Sequence, residues 1–371
     1  MRLVLPGRMD GIGWFAYETT RRMVTAHPEH RFLLLFDRRI QRIEGLTNAP
    51  NVEVRVLCPQ ARHPVLWWLF FEWSVPWALR RWKANLYITP DGMMPLHPKV
   101  PTLAVIHDLN FEHADDNLRR SHQWYMKRFF PRFAQAAARV ATVSDYSRND
   151  ISATYGVDRE HIDVVYDGAH SHYRPHSEAE CEEIRRRFSE GKPYIIFIST
   201  ILKRKNLAGL LRAFDIVKEE DRSGLKLVVV GSPVWWRDEL KEAYDTMRHR
   251  DDVVMLGRVE PKELSALLSA SKMLVYPSYF EGFGIPILEA MYAETAVVCS
   301  STTSMPEVGG DAVEYVDPAS DKDIARGIRL TLDTARRTAM IERGRKQRTC
   351  FSWDRTANFL WESVEKITDR N

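Results

Sequence analysis

Short apolar runs alternate with helix-compatible stretches twice along this chain, and that alternation restricts its fold more than any other feature. In the first half, Leu3–Leu5, Phe32–Phe36, Val52–Leu57, Leu86–Thr89, Thr102–Ile106 and Val140–Val143 read as strands, a doubly wound parallel pattern. A polar, His-rich section from Ala169 to Lys192 carries no buried-strand pattern. A second series follows in Tyr194–Ile198, Leu225–Val230, Val253–Leu256, Met273–Tyr276 and Ala296–Cys299. With 371 residues the chain exceeds one ordinary core and fits two. The expectation is an α/β protein of two Rossmann-like domains with parallel sheets, residues 1–172 and 173–350, and a terminal amphipathic helix over 351–371. Ligands of open α/β sheets bind beyond the carboxyl ends of the strands, so two such domains would face an interdomain cleft.

Hydrophobic content of 44% beside 28% charged residues is ordinary for a soluble protein, and no uncharged apolar segment is long enough to span a bilayer. The run from Met1 to Gly7 is too short for a signal peptide and reads as a first strand, so a cytoplasmic location is expected. Cys58, Cys181, Cys299 and Cys350 form no paired spacing, which argues against a disulfide framework and a zinc site and for reduced, mostly buried thiols. Net charge is +3, yet residues 1–139 hold 20 Lys and Arg against 12 Asp and Glu. A basic half suits nucleic acid, an anionic membrane or a phosphorylated acceptor equally, so motifs must decide.

Tyr279-Phe280-Glu281-Gly282-Phe283-Gly284-Ile285-Pro286-Ile287-Leu288-Glu289-Ala290 follows the strand at Met273–Tyr276. Pro286 fits the first helical turn, placing Glu281 in the preceding loop and Glu289 on the helix. Amides of Gly282, Phe283 and Gly284 at a helix start would favour an anion or a hydroxyl-rich ligand. A bare Glu-Gly-x-Gly is equally a strand–turn–helix unit with a capping Glu. The full string resembles the E-x7-E signature of glycosyltransferase family 4, retaining nucleotide-sugar transferases with the GT-B fold, and the resemblance covers nearly the whole chain.

Other motifs acquire roles through that resemblance. Gly11-Ile12-Gly13 matches the family's first glycine loop, with Gly13 near the donor diphosphate; a simple tight turn is the other reading. Ile106-His107-Asp108-Leu109 resembles I-H-D-L, which implies that His107 reaches the transferred sugar, with Asp108 beside it. Ser144, in a further family marker, also reads simply as a helix cap. Lys205, helped by Arg204, is implied to bind the diphosphate, although Ser199, Leu202 and Lys203 depart from the family pattern. Arg258 borders a strand whose backbone reads the nucleobase in the family, and the terminal helix is implied to cross back to the first domain. Ala296 and Glu294 replace a usual Pro and Gly.

The implied activity is a retaining transfer of a hexose, with His107, Lys205 and Glu281 as catalytic residues and Glu289 on the ribose. No D-x-D string follows a strand, so neither a metal nor a cofactor is expected beyond the nucleotide-sugar co-substrate, GDP-mannose or a UDP-sugar. The combination I-H-D-L, T-V-S, R-K-N and E-G-F-G-x-P resembles the mannosyltransferase-like branch that builds surface polysaccharide, which favours GDP-mannose and a glycan or polyprenyl-linked acceptor. A GT-B sugar-nucleotide epimerase and a nucleic-acid-binding protein are the alternatives, the latter set aside by the motifs. Aromatic and basic residues interleave from Val65 through Trp73 to Lys83 and from Arg119 to Phe129. Buried core and docking on an anionic membrane at its inner face both account for them.

Overall fold

A computed structural model of the protein describes residues 1–5, 7, 9–113 and 119–369. Asp115 and Asp116, an acidic pair in a polar stretch that reads as a loop from its sequence, lie outside the described residues. Among those described, one compact unit comprises residues within 1–113, 119–168 and 352–369, and a second comprises 169–351.

The first unit carries β1 (Phe32–Phe36), β2 (Val52–Val56), β3 (Tyr87–Thr89), β4 (Thr102–Val105), β5 (Arg139–Thr142) and β6 (Ile162–Val164). β1 and β2 pair in parallel with Phe32 opposite Val52, and β3-β4-β5-β6 form a separate parallel sheet in sequence order. Leu3–Leu5 does not form a strand. The Val4 amide turns back onto the Met1 carbonyl at 3.2 Å, and the Met1 amino group donates to Leu35 O at 3.0 Å. The run is thereby held in a turn by local bonds instead of in a ladder. A cavity of about 310 Å³ lies between β1 and β3, lined by Leu33, Leu35, Tyr87 and Ile88 among others.

The helix Trp353–Thr368 belongs to this first unit. It buries Trp353, Ala357, Leu360, Val364 and Ile367, a stripe at helical spacing. The stripe meets the helix Gly11–Ala26, where Arg22 bonds Asp354 at 2.6 Å and Trp361 stacks on His27 with centroids 3.6 Å apart. Ser352 caps its start by accepting from the Arg355 amide.

The second unit holds β7 (Tyr194–Ile198), β8 (Lys226–Val230), β9 (Val253–Gly257), β10 (Met273–Tyr276), β11 (Ala296–Ser300) and β12 (Glu314–Val316), all parallel, in the order β12-β11-β10-β7-β8-β9. β7, β8, β10 and β11 are buried along their whole length, because helices cover both faces. The chain builds outward from β7 to β9, then returns to β7's other side with β10. The loops after β7 and β10 therefore diverge at a topological switch point, where such sheets open a crevice.

β6 and β12, three residues each, have no apolar run long enough to signal a strand in sequence. Two of the four free thiols, Cys58 and Cys350, are exposed, contrary to the expectation of mostly buried ones; both lie in connecting segments rather than on core faces.

Candidate active site

The loop after β7 is pressed against the end of β8. The Ser199 amide donates to Val230 O and the Ile201 amide to Ser232 O, each at 3.0 Å. This course requires Gly231, whose φ is +148° and whose missing Cβ would fall on the Ser199 carbonyl. The loop closes in a helical turn, Lys203–Lys205, and Asn206, at φ 56°, caps the helix Leu207–Lys218 by accepting from the Gly209 amide. Lys205 is thereby turned inward and is 8% exposed.

Across the switch point, the turn after β10 supplies its partner. Lys205 Nζ donates to Glu281 Oε1 at 2.5 Å and to Tyr276 Oη at 3.0 Å, and Tyr276 Oη donates to the same Glu281 oxygen at 2.8 Å. Arg204 Nη1 reaches Glu281 Oε2 at 3.3 Å and the Phe280 carbonyl at 2.8 Å. Burial would push the Glu281 carboxyl up, but Lys205 and Arg204 outweigh it and hold the group at about 2. Burial, then the Glu281 charge, raises the Tyr276 hydroxyl well above its ordinary value. Two cations, Lys205 and Arg204, thus converge on one carboxylate beside the turn.

Gly284, at φ 103°, starts the helix Ile285–Tyr292, with Pro286 in its first turn and Glu289 on the helix, as the spacing predicted. Ser304 Oγ pins the turn by donating to Glu281 O at 2.9 Å and Phe283 O at 3.0 Å, while the Glu281 amide donates to Thr303 Oγ1 at 3.2 Å. Glu289 is buried, which pushes its carboxyl up to about 7 against the opposing pull of a hydrogen bond from Tyr173 and the nearby His170. Arg258 stands exposed immediately after the edge strand β9.

Gly13, His107 and Asp108 lie in the first unit. The helix there begins at Gly11, so Gly11 and Gly13 form its first turn rather than a loop ahead of it, and the Gly13 amide donates to the capping Asp10 at 2.9 Å. A Cβ at 13 would stand 2.6 Å from Leu3 O, which by itself requires glycine. His107 follows β4, with Nε2 2.9 Å from Pro90 O and its ring edge-on to Phe15 at 4.8 Å. Desolvation lowers its pKa, opposed by the Pro90 carbonyl and Asp108, so the ring is neutral at pH 7. Asp108 accepts from the Asn110 amide at 2.9 Å, and Ser144 caps the helix Asp145–Tyr155, accepting from the Ser147 amide.

Lys205, Arg204 and Glu281 thus form one cluster, beside the Gly282–Gly284 turn. Sequence reasoning missed Tyr276, Tyr173 and Gly231. A polar-tipped residue ending an apolar strand was a usable signal for Tyr276, and a glycine directly after Val228-Val229-Val230 was one for Gly231. Tyr173 had none, since its value lies in touching a residue far away in sequence.

Residues 9–172 match the family described as Glycosyltransferase Family 4, and residues 181–347 match the one described as Glycosyl transferases group 1. The O-antigen chain mannosyltransferase B of Escherichia coli is 30% identical over 356 residues, covering 93% of each chain. The O-antigen chain mannosyltransferase RfbU of Salmonella typhimurium is 25% identical over 280 residues, covering 75% of this chain and 74% of its own. Among solved structures, HepE of Anabaena in complex with UDP and glucose superposes with a TM-score of 0.73 at 17% identity, covering 97% of each chain.

Proposed function

The chain belongs to glycosyltransferase family 4 and has the GT-B fold of two Rossmann-like units, and from that premise we propose that it transfers mannose from GDP-mannose, with retention of configuration, to a glycan or lipid-linked glycan in surface-polysaccharide synthesis. The names of the mannosyltransferase relatives support the sugar, and the UDP and glucose in the Anabaena complex support a nucleotide-sugar donor.

One observation carries the reading: the buried Lys205–Glu281–Tyr276 cluster, with Arg204, at the switch point beside a helix N-terminus. In the proposed reaction the bond from the anomeric carbon to the diphosphate breaks as the acceptor oxygen bonds to that carbon on the same face. The acceptor's proton passes to the departing phosphate oxygen. Lys205 and Arg204 stabilise the charge that grows on the diphosphate, where fixed cations in a dry site act most strongly.

Glu281 holds Lys205 in place and accepts from sugar hydroxyls. The Gly282, Phe283 and Gly284 amides edge the same turn, Glu289 accepts from the ribose, and Arg258 borders the base. From the first unit, neutral His107 and Asp108 contact the transferred sugar and Gly13 the diphosphate. An acceptor carried on a lipid would bring the enzyme to an anionic membrane surface.

The test is a donor panel of GDP-mannose, UDP-glucose, UDP-galactose and UDP-N-acetylglucosamine with a lipid-linked oligosaccharide fraction as acceptor. Release of GDP with mannose in the product, its anomeric proton showing retained configuration by NMR, is the expected result. Turnover of a UDP-sugar with GDP-mannose inert overturns the donor assignment.

A further inference from the structure

The aromatic segment of the first unit is split by the structure into two faces. It runs as a helix Pro64–Leu69, a π-helical turn Phe70–Ser74 and a helix Val75–Trp82. Trp67, Phe70, Phe71, Val75 and Ala78 are buried in the core of the unit, as the core reading of this segment required. Trp68, Trp73 and Trp77 are instead 41%, 66% and 58% exposed. A step of five across the π-helical turn and a step of four along the following helix keep these three on one side. A straight α-helix would have carried Trp68 out of that line.

The helix Arg120–Ala136 lies alongside. His122 and Tyr125 make edge contacts with buried Trp67, at 4.7 and 5.3 Å between centroids, and Trp124 between them in sequence is 62% exposed. Residues 61–83 and 119–136 together contain nine Lys and Arg and one carboxylate, Glu72, which accepts from the Leu96 amide at 2.8 Å. Arg80, Arg81, Lys83, Arg120, Lys127 and Arg128 are all exposed, and the Arg81 guanidinium lies 5.8 Å from the centre of the Trp77 ring.

Four exposed indoles among cations suit neither an aqueous surface nor an acidic protein partner, for which the charge alone would serve. They match the headgroup layer of a bilayer, where an indole buries its ring at the acyl boundary and Lys or Arg meets lipid phosphate. No described helix is long and apolar enough to cross a membrane, so this would be contact with the surface. We propose that these two helices form a docking face for an anionic lipid surface, with Trp68, Trp73, Trp77 and Trp124 at headgroup depth and the flanking Lys and Arg on lipid phosphate. The assignment goes beyond the transfer reaction and is testable without any nucleotide sugar, so its failure would leave the donor assignment standing.

The experiment is vesicle flotation of the full chain with phosphatidylcholine alone and with phosphatidylcholine mixed with phosphatidylglycerol. The wild-type protein should float with the mixed vesicles and not with the neutral ones, its tryptophan emission moving to shorter wavelength. Arg80→Ser/Arg81→Ser should weaken binding about thirtyfold, the effect of losing two surface cations. Trp73→Ser/Trp77→Ser should cut the emission shift to about half, since Trp68 and Trp124 still report it, while the melting temperature, followed by circular dichroism, stays at the wild-type value. Equal flotation with both vesicle types, failure to float with either, or unchanged binding in both variants overturns the proposal. Should either double variant fold poorly, Trp124→Ser read against the buried-face control Trp67→Phe decides the same question.

Discussion

A β-carbon placed on residue 231 would stand 1.7 Å from the carbonyl oxygen of Ser199, so Gly231 alone allows the loop that carries Lys205 to lie against the end of β8. The obstruction is backbone and cannot swing aside as a side chain could. Gly231→Ala should therefore displace the loop, costing at least about 1–3 kcal/mol of stability from the strained backbone alone. Donor binding should fall with it. Urea unfolding and a donor titration check this; a variant with wild-type values in both would show that the loop is not held as described.

Lys205 and Glu281 are a buried ion pair, and removing one member strands the other. Lys205→Met and Glu281→Gln should each abolish transfer, and the lysine change should destabilise by about 3–5 kcal/mol. The double variant should unfold at a higher urea concentration than the sum of the single effects implies, because no unpaired charge remains from the pair. Strict additivity would mean that the two groups do not interact in solution.

Glu289 bears on pH dependence. Burial pushes its carboxyl up to about 7, so it carries a proton on the acid side and is a full acceptor for hydroxyls only above that pH. The KM for donor should fall as pH rises through neutrality. In Glu289→Gln that dependence should be lost and KM should be high throughout; a sloping profile in that variant would place the titration elsewhere.

Asp167 concerns stability instead. It is buried, its Oδ1 has no hydrogen-bond partner among the described residues, and burial raises its carboxyl to about 8. Its folded pKa lies above the unfolded value of about 3.9, so the native state holds the proton more tightly. The resulting stability is fully present below the unfolded value and is lost as pH rises through about 8. Melting temperature should decline between mildly acidic and alkaline pH in the wild type, and less so in Asp167→Asn. Parallel curves for the two proteins would exclude this carboxyl as the source.

Much of the architecture was legible because it rests on local patterns. Phe32–Phe36, Tyr194–Ile198 and Met273–Tyr276 are strands with the boundaries expected, since uninterrupted apolar runs have one way to be covered on both faces. Pro286 marked the helix start for the same reason: its fixed φ and absent N–H act wherever it stands. Leu3–Leu5 failed as a strand because the Val4 amide closes a turn onto the Met1 carbonyl, a local pairing that an apolar pattern does not register.

Sequence alone determined the alternation of strands and helices, the Glu281-to-Glu289 spacing and the cations at 203–205. Only the tertiary structure decided that Lys205 faces inward, that Tyr276 and Arg204 share Glu281 with it, and that Tyr173 meets Glu289. It also divided one run of tryptophans into core and surface through a π-helical turn. Those outcomes depend on β10 lying beside β7 and on which face of each helix is covered. Burial and pairing energies arise between residues far apart in the chain, 76 positions for Lys205 and Glu281, and have no counterpart in any local pattern.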